Sequence, residues 1–323
     1  MRYFSHTLSA GHSLPYGGAE SLPSTRANRQ SPLELVNLTR LMELSSGRAE
    51  TTIGLIDGPV ATDNDDLSST NIREIPGRLR GTCARAGSVA CRHGTFVAGI
   101  LSARRGSHAP SISPDCTLLV RPIFAETASG NPDMPNASAD ELATAIVDCV
   151  DAGASVINLS AALVQRPAKG VGRLEEALAY SARQGVVIVA AAGNQGSVGS
   201  SAITRHPWVI PVVACDLLGK PIGYSNFGNA IGRRGLSAPG DGISSLGTDG
   251  GSPTFGGTSA AAPFVTGTIA LLMSIFPDAS PAEFKIAATR GQVRDRSTVV
   301  PPLLDAYASY QAMATTHATR PPS

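Results

Sequence analysis

Short apolar runs alternate with stretches of helical period along most of this chain. Thr51 to Ile56, Thr117 to Ile123, Ser155 to Ser160, Gly185 to Gly193 and Val209 to Cys215 are continuous runs rich in Val, Ile and Ala. Such runs predict strands covered on both faces. Between them, Ser138-Ala139-Asp140-Glu141 opens a helix with Leu142, Ile146, Val147 and Val150 on its apolar side, and Gly172 to Gln184 predicts another. Ser31-Pro32-Leu33-Glu34 has serine, first-position proline and glutamate in capping-box spacing, followed by an apolar face of Leu35, Val36, Leu38, Leu41, Met42 and Leu44. Later helices are expected over Phe264 to Phe276, after Ser280-Pro281-Ala282-Glu283, and over Pro301 to Met313. Gly58 to Ala90 reads as a long loop region and Arg104 to Ser113 as a short connection. Strand and helix in alternation imply βαβ units, hence an α/β fold with a mostly parallel, doubly wound sheet and helices on both faces.

The ends break this pattern. Residues 1–30 are rich in Ser, Gly and Pro without periodicity and are expected as a flexible N-terminal arm; residues 31–313 form the folded domain, and 314–323 a polar tail. At 323 residues with 42% hydrophobic content, the chain has enough apolar material for one large domain. Its net charge of +1 is spread without a basic block, which gives no electrostatic footprint for nucleic acid or an anionic membrane. No run of apolar residues is long enough to span a bilayer, and Met1 to Leu8 lacks the apolar core of a secretory signal, so a cytoplasmic location is expected. The five cysteines, Cys83, Cys91, Cys116, Cys149 and Cys215, have no metal-ligand spacing. In a reducing compartment the expectation is free, mostly buried thiols, with a Cys83 to Cys91 bridge before His93 as the alternative.

Candidate chemistry gathers in three stretches. Thr254-Phe-Gly-Gly-Thr-Ser-Ala-Ala-Ala-Pro263 uses a glycine pair to deliver Ser259 to a helix start, where the dipole favours an oxyanion. The same Gly-Thr-Ser caps helices in any fold. Cys91-Arg-His-Gly-Thr-Phe-Val-Ala-Gly99 sets His93 directly before a small-residue helix start, and Thr52-Ile-Gly-Leu-Ile-Asp-Gly58 ends an apolar run on Asp57. Chemistry in doubly wound sheets collects at the carboxyl ends of strands, where Asp57 falls. Asp57, His93 and Ser259 together keep the chain order of the subtilisin triad.

The chain thus resembles the subtilisin-like serine peptidases over about Pro32 to Arg290. The resemblance implies the subtilisin-like three-layer fold, Asp57, His93 and Ser259 as catalytic residues, and Asn194 of Ala-Ala-Gly-Asn as oxyanion-hole donor. An asparagine after glycine is otherwise an ordinary turn residue. Substrate is expected extended beside Ser160, Ala161 and Ala162 on one strand end and Ala191, Ala192 and Gly193 on another, pairing through the backbone. Ser160-Ala161-Ala162 stands where relatives commonly carry Ser-Leu-Gly, so specificity is not inherited. Asp63-Asn64-Asp65-Asp66 reads as a solvated turn rather than a calcium loop, and His206 as a structural loop residue. No metal or cofactor is called for.

Asp57-Gly58-Pro59-Val60 departs from the usual Asp-Ser-Gly or Asp-Thr-Gly and is similar to the proteases that mature cyanobactins and related ribosomal peptides, as is Arg121-Pro122-Ile123-Phe124. The departure removes a hydroxyl that often supports the catalytic aspartate. Macrocyclases of that group carry a helical insertion soon after the His motif, for which Ala103 to Thr117 leaves little room. The expected function is limited hydrolytic cleavage of a precursor peptide. The alternatives are general degradation, transpeptidation to a cyclic product, or a non-catalytic peptide-binding scaffold.

Overall fold

The computed structural model describes residues 31–67, 71–128, 137–160, 170–290 and 298–318, so the expected arm over residues 1–30 lies outside it. Strands β1 (Thr52–Asp57), β2 (Ile72–Glu74), β3 (Thr117–Pro122), β4 (Val156–Leu159), β5 (Val187–Ala191), β6 (Val209–Cys215) and β7 (Leu236–Pro239) form one sheet in the order β2-β3-β1-β4-β5-β6-β7. Every pairing in it is parallel. A separate antiparallel pair joins β8 (Ile243–Ser244) to β9 (Thr254–Phe255). β2 lies inside the stretch expected as loop; a strand this short and this exposed leaves no apolar run to detect.

Alternate strand residues feed two cores. Val187 and Val189 of β5 face the layer of α3 (Val89–Ser102) and α8 (Thr258–Ile275). Ile188 and Ala190 face α4 (Ala139–Asp151) and α5 (Val171–Arg183). That is the period-two rule applied to a sheet covered on both sides. α8 alone among the described residues is long and apolar enough to cross a bilayer, yet 89% of it is buried inside the protein. A helix that is apolar all round belongs in a large core.

The expected first helix is two short ones, α1 (Pro32–Leu35) and α2 (Leu38–Met42), because Asn37 adopts a left-handed φ of 54° between them. The capping box at Ser31 and Glu34 forms in full. Ser138 caps α4 by accepting the Glu141 N–H. Short α6 (Ala202–Arg205) and α7 (Asn229–Arg234) flank β6, and α9 (Pro281–Arg290) follows α8. The last helix, α10 (Ala306–Ala318), runs past Met313 into the expected polar tail. Its His317 ring is 5.3 Å from the Phe276 ring and its Nε2 lies 3.5 Å from Glu283, contacts that give this polar turn something to pack on.

Two contacts shape the approach to the strand ends. A Cβ on Gly58 would overlap the Ala90 carbonyl, so only glycine lets the first turn of α3 sit on the loop leaving β1. Cys83 and Cys91, expected as free thiols, are joined in a disulfide with their Cα atoms 5.7 Å apart, a separation typical of such bridges. Val60 donates to the Gly81 carbonyl (2.8 Å) and accepts from the Cys83 N–H (3.0 Å), which folds the 81–91 segment back onto the start of α3. Compartment reasoning alone had no access to that fold-back. Cys116, Cys149 and Cys215 are free and buried, as expected.

Burial pushes the Cys215 thiol up to about 12 and raises Cys116 and Cys149 as well. Native protein treated with iodoacetamide at pH 8 should therefore leave all three unmodified, with alkylation only after denaturation and two further sites only after reduction; mass spectrometry reads the count. Gly58→Ser should destabilise the protein by about 1–3 kcal/mol through overpacking against Ala90, measured by denaturant unfolding.

Candidate active site

Register places the site. Ile56 pairs with Leu159, and Leu159 with Ala190, so Asp57, Ser160 and Ala191 emerge at one level at the carboxyl edge of the sheet. Asp57 ends β1 and is fully buried. His93 lies in the second turn of α3, not before the helix as the sequence suggested, because the helix already starts at Val89. Ser88, extended at φ −69° and ψ 136°, stands at the N-cap, and Ala90 and Cys91 are buried in the first turn.

The geometry links the three residues in a line. His93 Nδ1 is 2.7 Å from Asp57 Oδ1, and His93 Nε2 is 3.0 Å from Ser259 Oγ. A carboxylate only accepts, so Nδ1 carries the proton, and Nε2 presents a lone pair to the serine hydroxyl. Asp57 Oδ1 also accepts the Gly58 N–H at 2.6 Å. Asp57 Oδ2 is buried with no hydrogen-bond partner among the described residues. Gly58 has no hydroxyl to offer it, and the Ala90 carbonyl leaves no space for a side chain there.

Ser259 sits at the second position of α8, behind Gly257, whose φ of 111° suits glycine and whose missing Cβ keeps the Asn194 amide from being displaced. The Ser259 N–H is one of the four a helix start leaves without an intrahelical partner. Pro263 lies in the second turn of α8, so it removes a ladder bond, the one to the Ser259 carbonyl. Asn194 is held by its side-chain oxygen, which accepts from Thr258 N at 2.9 Å and Thr258 Oγ1 at 3.0 Å. Its NH₂ group is thereby turned away from Thr258, toward Gly257 and the start of α8. The Asn194 amide is thus held beside Gly257, two residues from Ser259, at the helix start whose N–H groups lack intrahelical partners.

Three residues the sequence reading did not single out position this group. Thr258 orients Asn194 and also accepts the Gly193 N–H at 3.1 Å. Asn226 donates to the Ala192 carbonyl (3.1 Å), while its Oδ1 accepts from the Gln195 and Ser197 N–H groups, each at 3.1 Å. Asn158, buried in β4, accepts from Thr266 Oγ1 at 2.8 Å and donates to Ser160 Oγ at 2.9 Å, pinning α8 to the sheet. A polar residue inside an otherwise apolar strand was the one signal for Asn158.

The expected substrate platform is described in part. Ser160 is fully buried, with its hydroxyl spent on Asn158, so its side chain does not face a ligand. Ala161 and Ala162 lie outside the described residues. Ala191, Ala192 and Gly193 line the end of β5, where the Ala192 and Gly193 carbonyls are already engaged by Asn226. The acidic cluster is a turn: Asn64 Oδ1 accepts the Asp66 N–H and Arg104 pairs with Asp66 at 3.0 Å. Among the described residues, one group has metal-ligand spacing, Cys83, Cys91 and Glu126, and its sulfurs are already bonded to each other. His206 stands apart, accepting the Trp208 N–H at 3.3 Å.

The fold recurs in known proteins. The chain superposes on the protease domain of PatA with a TM-score of 0.76 at 27% identity, covering 84% of this chain and 97% of that one. For the prenylagaramide maturation protease PagA the values are 0.74 and 27%, covering 85% and 98%. In sequence it is 34% identical over 184 residues to a thermophilic serine proteinase of Bacillus sp. (strain AK1), covering 56% of this chain and 42% of the relative. It is 28% identical over 286 residues to fervidolysin of Fervidobacterium pennivorans, covering 78% and 39%. The chain thus spans less than half the length of these two relatives. Residues 48–297 match the Subtilase family, peptidase S8, and with that match the chain belongs to the subtilisin-like serine peptidases.

Proposed function

We propose that this protein is a serine endopeptidase that cuts a precursor peptide at a limited site by hydrolysis. The observation that carries the reading is the unbroken line from Asp57 through His93 to Ser259, ending beside the anchored Asn194 amide. A serine hydroxyl is a poor nucleophile at its own pKa and needs a base at hydrogen-bond distance. His93 Nε2 takes the Ser259 proton as Oγ bonds to the peptide carbonyl carbon. Asp57 fixes the imidazole tautomer and stabilises the cation. The Asn194 amide and the Ser259 N–H receive the oxyanion. His93 then gives its proton to the leaving amine as the C–N bond breaks, and water repeats the sequence to release the acid.

The maturation reading is supported by the likeness to PatA and PagA, whose names describe maturation proteases, over most of both chains. Hydrolysis is favoured over ring closure by the tight return after α3: Ile112 and Ser113 donate to the Ile100 and Leu101 carbonyls at 2.9 and 2.8 Å, leaving no inserted helix to exclude water. A peptide mixture digested with wild type should give fragment pairs whose masses sum to a parent plus one water, at few sites. Ser259→Ala should give none, and Asn194→Ala should lower kcat by about 10²–10³-fold with little change in KM. Cyclic products lacking the water would contradict hydrolysis, and cleavage at many unrelated sites would favour degradation.

A further inference from the structure

Residues 73–92 hold five arginines, Arg73, Arg78, Arg80, Arg85 and Arg92, against a single acidic residue, Glu74. Spaced along the sequence, they do not read as a block, and the chain as a whole carries only +1. The fold closes the segment that carries them into two small loops. Glu74 Oε1 accepts the Gly81 N–H at 2.6 Å, closing the loop that carries Arg78 and Arg80. The disulfide closes the next loop, which carries Arg85. Glu126 accepts the Ala84 and Arg85 N–H groups at 3.0 and 2.6 Å, so its charge is committed to the backbone.

All five arginines are exposed, and none is ion-paired with a described carboxylate. The buried Arg121 beside Gly77 differs, because Glu141 and Asp148 pair with it at 3.2 and 2.7 Å. This strap lies along the site itself. Thr248 Oγ1 donates to the Ala86 carbonyl at 2.8 Å, joining the strap to the loop between β8 and β9. Arg92 directly precedes His93, with its guanidinium carbon 5.9 Å from the centre of the Phe255 ring, four residues before Ser259. His93 is the group that would protonate the leaving amine, so Arg92 stands one residue from the proton donor for the cut.

We infer that this arginine strap is a docking surface for an acidic segment of the substrate peptide flanking the bond to be cut. The inference rests on the peptidase reading for the identity of the occupant. Several like charges with no fixed partner raise the local concentration of an opposite charge and its rate of association. Position decides between a peptide and a nucleic acid: the strap borders groups placed to attack a peptide bond, and among the described residues Phe255 is the one aromatic ring that a strap arginine stands over.

The test uses full-length Ser259→Ala protein, fluorescein-labelled hexaglutamate, and fluorescence anisotropy, with labelled hexalysine and a twelve-nucleotide oligothymidylate as comparisons. Hexaglutamate should bind most tightly of the three and weaken as NaCl rises from 50 to 300 mM. The triple change Arg78→Ala, Arg80→Ala and Arg85→Ala should weaken it about 10-fold, given the modest worth of each exposed pair. Arg92→Glu should weaken it further, with unchanged melting temperatures showing that the variants fold. No hexaglutamate binding, binding indifferent to the arginine changes, or tighter binding of the oligonucleotide would overturn the inference. Because binding is read without the serine hydroxyl, it is independent of whether wild type cleaves peptides, and either claim fails alone.

Discussion

An aspartate at a strand end holds an imidazole only if the helix bearing that imidazole lies directly against the loop leaving the strand. Here that approach depends on Gly58, over which the Ala90 carbonyl sits with no room for a side chain. The contact sets the height of α3 on the sheet and brings His93 Nδ1 to 2.7 Å from Asp57. It also has a cost: the position that could carry a supporting hydroxyl is given to packing, and Asp57 Oδ2 is left buried without a partner among the described residues. A buried polar atom left unsatisfied costs about 1–3 kcal/mol, so the close approach must return at least that much through packing and the Oδ1 bonds.

The nucleophile side is fixed by different means. α8 is buried on nearly every face, and apolar packing alone would leave its rotation and register loosely determined. Thr266 bonded to Asn158 in the middle of the sheet, and Thr258 bonded to Asn194, supply directional contacts at two heights along the same helix. Fully satisfied buried polar groups specify one arrangement where oily contacts tolerate several. The sheet thus sets Ser259 and Asn194 as a pair, and the distance between the Ser259 hydroxyl and the Asn194 amide follows from one helix register.

Much of this was legible from residues. The buried strands announced themselves as continuous apolar runs, and β6 forms over the same residues its run predicted. The Asp57, His93 and Ser259 stretches carried enough local pattern to be joined before any geometry was known. What escaped depended on contacts distant in sequence. Asn226 carries no local signal because its role is to bond carbonyl and amide groups some thirty positions away. Thr258 looked like a helix cap, yet its hydroxyl reaches Asn194. The Cys83 to Cys91 bridge was set aside on compartment grounds, although the fold-back that makes it possible is fixed by Val60. The arginine strap was invisible for the same reason, since only the folded chain shows residues 73–92 closed into two small loops beside the site.

The central claim is that Ser259 is activated by His93 in the folded protein. A fluorophosphonate reacts only with a serine whose proton has somewhere to go, so the direct measurement is its covalent labelling of wild type, Ser259→Ala and His93→Ala, read by intact mass. The account predicts one label on wild type and none on either variant. A well-folded wild type that takes no label, or a His93→Ala protein that labels as fast as wild type, would contradict it.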